Sequence, residues 1–358
     1  MNKSAVLYDY MQVNGGAESV TLTLCNEIPD MDLVTAFMAP EAFPEAPIAE
    51  ERIKTLISPT TRPGWQVLTS ALAFEHKTRF LKDYETLIFS GSVAPLAVKH
   101  SRARKNIYYC HTPPRFVYDL RDYYLDAATR LQRPALRALI AYLQPRYEDA
   151  IGKMDKIFAN SKNVQGRLKR YLGVDSEVLY PPVNTQRFKW LSDGDYFLST
   201  ARLEPLKRVD LIVEAFKQMP DQKLVVTSGG SQLERLKKIA AYAPNIEFTG
   251  WVTEERLAEL VGHCKATIYI PKDEDYGMTP VESIAAGKPV IGVNEGGVSE
   301  TVVEGVSGTL MDSERISSLC LVSAIRSWEK FEGVSGASLG ADCLASKTQF
   351  AGRLASYM

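Results

Sequence analysis

The sequence contains no run of eighteen apolar residues, so no membrane-spanning helix is expected. Its first ten residues lack the apolar core of a secretory leader because Asp9 interrupts them, and a cytoplasmic protein is expected. Cysteine is scarce. Cys25, Cys110, Cys264, Cys320 and Cys343 are odd in number, widely spaced and form no C-x-x-C pair. Neither a disulfide framework nor a zinc site is therefore expected. A G-x-x-x-x-G-K-[ST] loop, an H-E-x-x-H helix, a G-x-S-x-G elbow and a completed metal-binding carboxylate pair are also absent. That removes P-loop, zincin and α/β-hydrolase chemistry and leaves no metal or other cofactor in the expectation. Disorder, collagen-like repeats and coiled coil are excluded by 45% hydrophobic and 24% charged residues.

Net charge is almost nil, −1 from 42 Lys+Arg and 43 Asp+Glu, but it is unevenly spread. Residues 99–170 carry sixteen cations and six anions, whereas residues 251–350 carry eight and fifteen. The first stretch suits an anionic partner and the second does not.

A chain of 358 residues accommodates about two domains at roughly 150 residues each. Short apolar runs alternate with segments of helical periodicity almost throughout. Expected strands are 5–8, 33–37, 87–90, 106–109 and 156–159, then 196–200, 224–228, 246–249, 266–270, 289–293 and 308–311. Such alternation implies parallel sheets flanked by helices, and two series imply two doubly wound domains. The paired prolines of the 180–188 segment interrupt both strand and helix. The expected division is 1–187, 188–338, and a last helix at 339–358. Ligands of such folds bind where strands end, so a cleft between two facing domains is the expected site.

Five constellations carry chemistry. Val13-Asn-Gly-Gly-Ala-Glu-Ser19 joins the first strand to a helix; Gly15 and Gly16 allow close backbone approach to an anion or sugar, or simply make a turn. The pair does not extend to G-x-G-x-x-G, which argues against a dinucleotide fingerprint. Arg202 and Lys207 bracket a turn holding Pro205, ahead of a helix expected at 209–219, and two such cations suit a diphosphate. Taken alone they read better as solvated loop charges. In the 271–289 segment Glu274 and Glu282 stand eight residues apart around Gly277-Met278-Thr279-Pro280, with a helix expected at 280–286. Two carboxylates suit sugar diols, and loop N–H groups between them suit a phosphate or sugar. His111 follows a strand and precedes a rigid Pro113-Pro114 loop, as a ligand-facing or a merely structural histidine. Finally, residues 130–143 place Leu136, Leu139, Ile140 and Leu143 on one helix face and Arg130, Arg133 and Arg137 on another. That pattern fits an anionic membrane surface or an ordinary amphipathic helix.

Together, Glu274-Asp-Tyr-Gly-Met-Thr-Pro-Val-Glu282, Ala201-Arg-Leu-Glu-Pro-Leu-Lys207, Phe158-Ala-Asn-Ser161, Phe248-Thr-Gly-Trp-Val252, Gly287-Lys-Pro-Val-Ile291 and Asn294-Glu-Gly-Gly-Val-Ser-Glu-Thr301 resemble the retaining GT-B glycosyltransferases of the group 1 family (family 4). The resemblance implies an α/β GT-B fold and a nucleotide-sugar donor. By it, Arg202 and Lys207 bind the diphosphate, Glu282 the ribose, and Glu274 the hexose with the amides of Gly277, Met278 and Thr279. It places Gly16 at the phosphate or acceptor side, His111 near the transferred sugar and the Val252 backbone at the base. The last helix returns to the first domain. Ala201 stands where the family usually has glycine, which is tolerable if its φ is negative. Residues 109–119 are similar to bacterial mannosyltransferases of O-antigen and exopolysaccharide assembly.

The expected activity is metal-independent hexosyl transfer, with mannose from GDP-mannose preferred. The acceptor is a saccharide or a polyprenyl-diphosphate-linked oligosaccharide of lipopolysaccharide-type synthesis at the inner-membrane surface. UDP-sugar-dependent transfer is the alternative, followed by a non-catalytic sugar- or nucleic-acid-binding protein; no nucleic-acid partner is expected.

Overall fold

The computed structural model describes residues 3–13, 15–43, 48–59, 64–184, 186–327 and 346–358. Two compact units form: Met1–Pro181 with Lys347–Met358, and Pro182–Ser346. The change of unit falls between the paired prolines. Phe188 already packs in the second unit's core, and the Leu191 amide already donates to the Gly262 carbonyl there.

The first unit's strands are β1 (Ser4–Tyr8), β2 (Met31–Thr35), β3 (Ile53–Thr55), β4 (Thr86–Ser90), β5 (Lys105–Cys110), β6 (Lys156–Ala159) and β7 (Glu177–Val178). They pair in parallel in the order β3-β2-β1-β4-β5-β6-β7. Its helices are α1 (Gly16–Glu27), α2 (Trp65–His76), α3 (Arg121–Ala127), α4 (Gln132–Ile151) and α5 (Lys162–Leu172). Side chains alternate across a strand, so one sheet feeds two cores. Ala5, Leu7, Phe89 and Tyr108 meet Phe74 of α2 and Leu143 of α4, whereas Val6, Ile88 and Tyr109 meet Leu24 of α1. Burial on both faces explains why these strands read as near-continuous apolar runs.

The second unit's strands are β8 (Tyr196–Ser199), β9 (Lys223–Thr227), β10 (Ile246–Gly250), β11 (Ala266–Tyr269), β12 (Val290–Val293) and β13 (Gly308–Met311), parallel in the order β10-β9-β8-β11-β12-β13. Its helices are α6 (Val209–Lys217), α7 (Leu233–Ile239), α8 (Glu254–His263), α9 (Met278–Ala285), α10 (Val298–Thr301) and α11 (Ser318–Arg326). Side-chain oxygens cap several helix starts: Ser161 accepts from the Val164 amide, Thr253 from Arg256 and Ser317 from Cys320.

The last helix, α12 (Lys347–Ala355), belongs to the first unit. Phe350 is fully buried there, with its ring 5.3 Å from that of Tyr109, and Tyr357 lies 5.2 Å from Phe158. The helix expected at 339–358 thus begins at Lys347, and 339–345 lie outside the described residues. Cys25, Cys110 and Cys264 are buried free thiols and Cys320 is half-exposed; Cys343 lies outside the described residues. Among the described residues no helix is long and apolar enough to cross a membrane.

In each sheet the strand order reverses once, between β1 and β4 and between β8 and β11. Diverging loops open a crevice at such switch points, where ligands of doubly wound sheets collect. Both switch points carry residues singled out above.

Candidate active site

At the second unit's switch point, the chain leaving β8 passes Thr200, buried Ala201 and exposed Arg202. The Leu203 amide donates to the Gly229 carbonyl (2.9 Å), which pins this turn to the loop after β9. A short 3-10 turn at Pro205–Lys207 follows, and α6 starts directly behind it. Ala201 is not among the described non-glycine residues at positive φ, so its Cβ costs the backbone nothing.

The neighbouring strand β11 ends at Tyr269, and its loop leads to Gly277, which caps α9 at φ 85°. Glycine adopts that conformation freely, and the turn frees the first N–H groups of α9. The Thr200 hydroxyl donates to Thr279 in the first turn of α9 (3.1 Å), joining the two loops.

Lys207 and Glu274 form a direct ion pair there, with side chains 18% and 16% exposed. The Lys207 Nζ also lies 3.4 Å from the Tyr269 hydroxyl. Burial pushes the Tyr269 hydroxyl well above its ordinary pKa, Glu274 adds to the rise, Arg202 opposes it and Glu282 adds again. Lys207, Tyr269 and Glu274 thus meet, and the charges of Arg202 and Glu282 are felt at the Tyr269 hydroxyl. Sequence reasoning missed Tyr269. Its signal was a polar-tipped aromatic closing the fully buried strand Ala-Thr-Ile-Tyr.

Glu282 lies on α9, half-buried. Burial, helped by the charge of Glu254 and opposed by Arg187, pushes its carboxyl up to about 7. Arg187 and Glu254 are themselves ion-paired. A carboxyl raised in the folded state favours folding while protonated, and this contribution is lost as pH rises from about 4.5 to about 7. Burial holds the His111 imidazole down to about 4, which acts in the opposite direction between about 4 and about 6.5. Comparison of wild type with Glu282→Gln by urea unfolding isolates the first effect. The variant's advantage is expected to grow as pH rises through that window; a constant difference would exclude a raised pKa for Glu282.

Val252 packs its side chain against the core group of Phe188, Leu198 and Val225. Met278 and Thr279 form the first turn of α9, beside Glu274 and Glu282.

Gly15, Gly16 and His111 belong to the first unit's switch point. Gly15 caps α1 in extended conformation and Gly16 opens the helix. The α1 N-terminus is not an open anion site. Glu18 folds back so that a Cβ on Gly15 would meet its Oε2 at 2.7 Å, and its Oε1 accepts from the Tyr8 hydroxyl (3.1 Å). A carboxylate over a helix start satisfies its dipole, so a phosphate would have to displace it. Asn14, the third member of that motif, lies outside the described residues. The His111 ring stands edge-on to Tyr8 and Tyr109, at 6.2 and 5.1 Å, and its buried Nε2 has no hydrogen-bond partner among the described residues. The low pKa leaves the ring neutral at pH 7, able to donate through one nitrogen and accept through the other.

On α4, Ile140 and Leu143 are buried while Arg137 is exposed; Arg130, also exposed, lies in the turn before the helix rather than on it. Arg133 departs from the expected arginine face: its Nε donates to the Ala128 carbonyl (3.1 Å) beyond the end of α3, so this guanidinium caps a helix end.

Two doubly wound parallel sheets, one with a cation–carboxylate cluster at its switch point, define an α/β protein of the GT-B fold. Comparison with known proteins gives the family. The profile "Glycosyl transferases group 1" matches residues 183–333 and "Glycosyltransferase Family 4" matches residues 14–187. The chain belongs to this glycosyltransferase family. The alpha-1,3/1,6-mannosyltransferase ALG2 of Dictyostelium discoideum is 29% identical over 254 residues, covering 58% of each chain. The GDP-mannose-dependent alpha-(1-6)-phosphatidylinositol monomannoside mannosyltransferase of Mycolicibacterium smegmatis is 27% identical over 172 residues, 40% of this chain and 44% of that one. The chain thus spans about half the length of these curated relatives. The crystal structure of Anabaena Alr3699/HepE with UDP and glucose superposes with a TM-score of 0.73 at 15% identity over 98% of both chains, a likeness of fold.

Proposed function

We propose that the protein transfers a hexose from a nucleotide diphosphate sugar to a hydroxyl of a saccharide, with retention at the anomeric carbon. One observation carries this reading: Lys207 pairs with Glu274 beside the Tyr269 hydroxyl, where the charges of Arg202 and Glu282 are also felt. A departing diphosphate needs cations, and the diols of a hexose and a ribose need carboxylates. In this scheme Arg202 and Lys207 stabilise the charge growing on the leaving group. Positioned charges of this kind contribute several kcal/mol each (about 3–4) where water is excluded. Glu274 holds the hexose hydroxyls, Glu282 the ribose, the Val252 backbone the base, and the N–H groups of Gly277, Met278 and Thr279 assist at the dipole of α9. As the bond from the anomeric carbon to the phosphate oxygen breaks, the acceptor oxygen bonds that carbon from the same face. Its proton passes to the departing diphosphate oxygen, and the two cations and the helix dipole carry the charge without a metal ion.

Mannose from GDP-mannose is the preferred donor, supported by relatives named as mannosyltransferases. A UDP-linked hexose is the second reading, supported by the UDP-bound Anabaena structure. The proposed acceptor is a polyprenyl-diphosphate-linked oligosaccharide of bacterial surface-polysaccharide assembly at the inner membrane. Exposed Leu131, Arg130 and Arg137 would face the anionic lipid, with sedimentation on anionic vesicles as the check.

The deciding experiment is a thermal-shift panel of GDP, UDP, ADP and their hexose conjugates, followed by nucleotide release with and without a lipid-linked saccharide. One donor family is expected to raise the melting temperature by mass action, with release dependent on acceptor. Binding without acceptor-dependent release would replace the transferase with a non-catalytic binder, and no binding would remove both.

A further inference from the structure

We infer that the ion pair between Arg208 and Glu295 is a positioning device that holds Lys207 and Glu274 in the arrangement that receives the donor. The inference rests on the function proposed above and assigns a role to two residues outside the binding set.

Arg208 follows Lys207 directly and precedes α6. It adopts φ 52°, a left-handed conformation that a side chain disfavours and that persists only where its surroundings enforce it. Its Nη1 donates to Glu295 Oε2 at 3.0 Å, and the two side chains are only 17% and 20% exposed. A pair this shielded is costly to break from one side, because the remaining charge is left without compensation.

Glu295 precedes Gly296 and Gly297 in the loop after β12. The Gly297 amide donates to the Glu274 carbonyl (2.8 Å), and a Cβ on Gly296 would come within 2.5 Å of that same carbonyl oxygen. The glycine loop thus lies flat against the backbone of Glu274. On the opposite side, the Lys272 amide donates to the Leu206 carbonyl (2.7 Å) and Lys207 pairs with Glu274. Three loops, following β8, β11 and β12, form a ring around Glu274. Arg208–Glu295 joins the two outer loops and closes the ring without using either donor-binding group.

Arg208→Gly separates positioning from simple stabilisation. Glycine suits the left-handed backbone and offsets part of the cost of leaving Glu295 unpaired, so the fold is expected to survive with a modestly lowered melting temperature, while the loss of the pair frees the outer loops. The probes are GDP-mannose and UDP-glucose, used by calorimetric titration. The nucleotide sugar that binds the wild type is expected to bind Arg208→Gly at least about tenfold more weakly, through a misplaced Lys207 and Glu274. Glu295→Gln should weaken binding alike, the double variant should be no worse than either single one, and Arg208→Lys should recover part of the loss. If Arg208→Gly fails to fold, Glu295→Gln carries the same test. Wild-type affinity in Arg208→Gly or Glu295→Gln overturns the inference while leaving the proposed function standing. A wild type that binds neither probe overturns the proposed function and the inference with it.

Discussion

Lys207→Ala is expected to lower hexosyl transfer at least about a hundredfold, the usual cost of removing one preorganised charge from a developing anion. The ammonium sits where its loss cannot be repaired by water, since it is less than one-fifth exposed and bonded to Glu274 and Tyr269. Two effects combine in that variant: the transition state loses a cation, and Glu274 loses its counter-charge. Lys207→Met paired with Glu274→Gln removes the charge imbalance and should recover stability without recovering transfer. Initial rates of nucleotide release at saturating donor, with chemical denaturation alongside, distinguish the two. Near-wild-type turnover in Lys207→Ala would refute the assignment of this residue to the leaving group.

Gly296→Ala should disable the site through sterics alone. At φ 58° an added Cβ would stand 2.5 Å from the Glu274 carbonyl oxygen and 2.6 Å from its nitrogen. These are backbone atoms, so the loop carrying Glu274 must move. The expected loss of stability is about 1–3 kcal/mol, as for other overpacked sites. Donor affinity should fall about a hundredfold, the scale that a misplacement of about 1 Å produces. Gly305→Ala is the control. Its φ of 74° carries similar strain, yet nothing stands within 4 Å of the added carbon. That variant should lose about 1–2 kcal/mol from the left-handed backbone and keep its donor affinity. Equal loss of binding in both would mean that stability, not loop placement, governs the site.

Most of the fold was legible because nearly every strand is buried on both faces and therefore apolar throughout. Runs such as Thr-Leu-Ile-Phe-Ser at 86–90 and Val-Ile-Gly-Val at 290–293 are fully buried and fall within a residue of where they were expected. The two strands that escaped notice, β3 and β7, are short edge strands of three and two residues. Half-covered and brief, they have neither the length nor the apolar content to stand out. At the candidate site, spacing pointed to Glu274 and Glu282 and the family resemblance added Arg202 and Lys207, while Tyr269, Arg208 and Glu295 were hidden. Tyr269 looks like strand interior. Arg208 and Glu295 are 87 positions apart, and only the strand order brings their loops together. Glu18 was hidden differently: a carboxylate in a first helical turn signals a cap, but whether it covers the helix start depends on a side-chain torsion that no motif encodes.

The placement of α12 in the first unit bears on biosynthesis. Ribosomes deliver a polypeptide from its amino end, so the residues of 1–181 emerge long before Phe350 and Leu354. Until then the apolar surface those side chains cover, Tyr109 and Phe158 included, has no lid. The second unit, by contrast, is continuous in sequence and can complete itself first. The amino-terminal half thus keeps that apolar surface uncovered until α12 has been made, the condition in which incomplete chains are prone to aggregate.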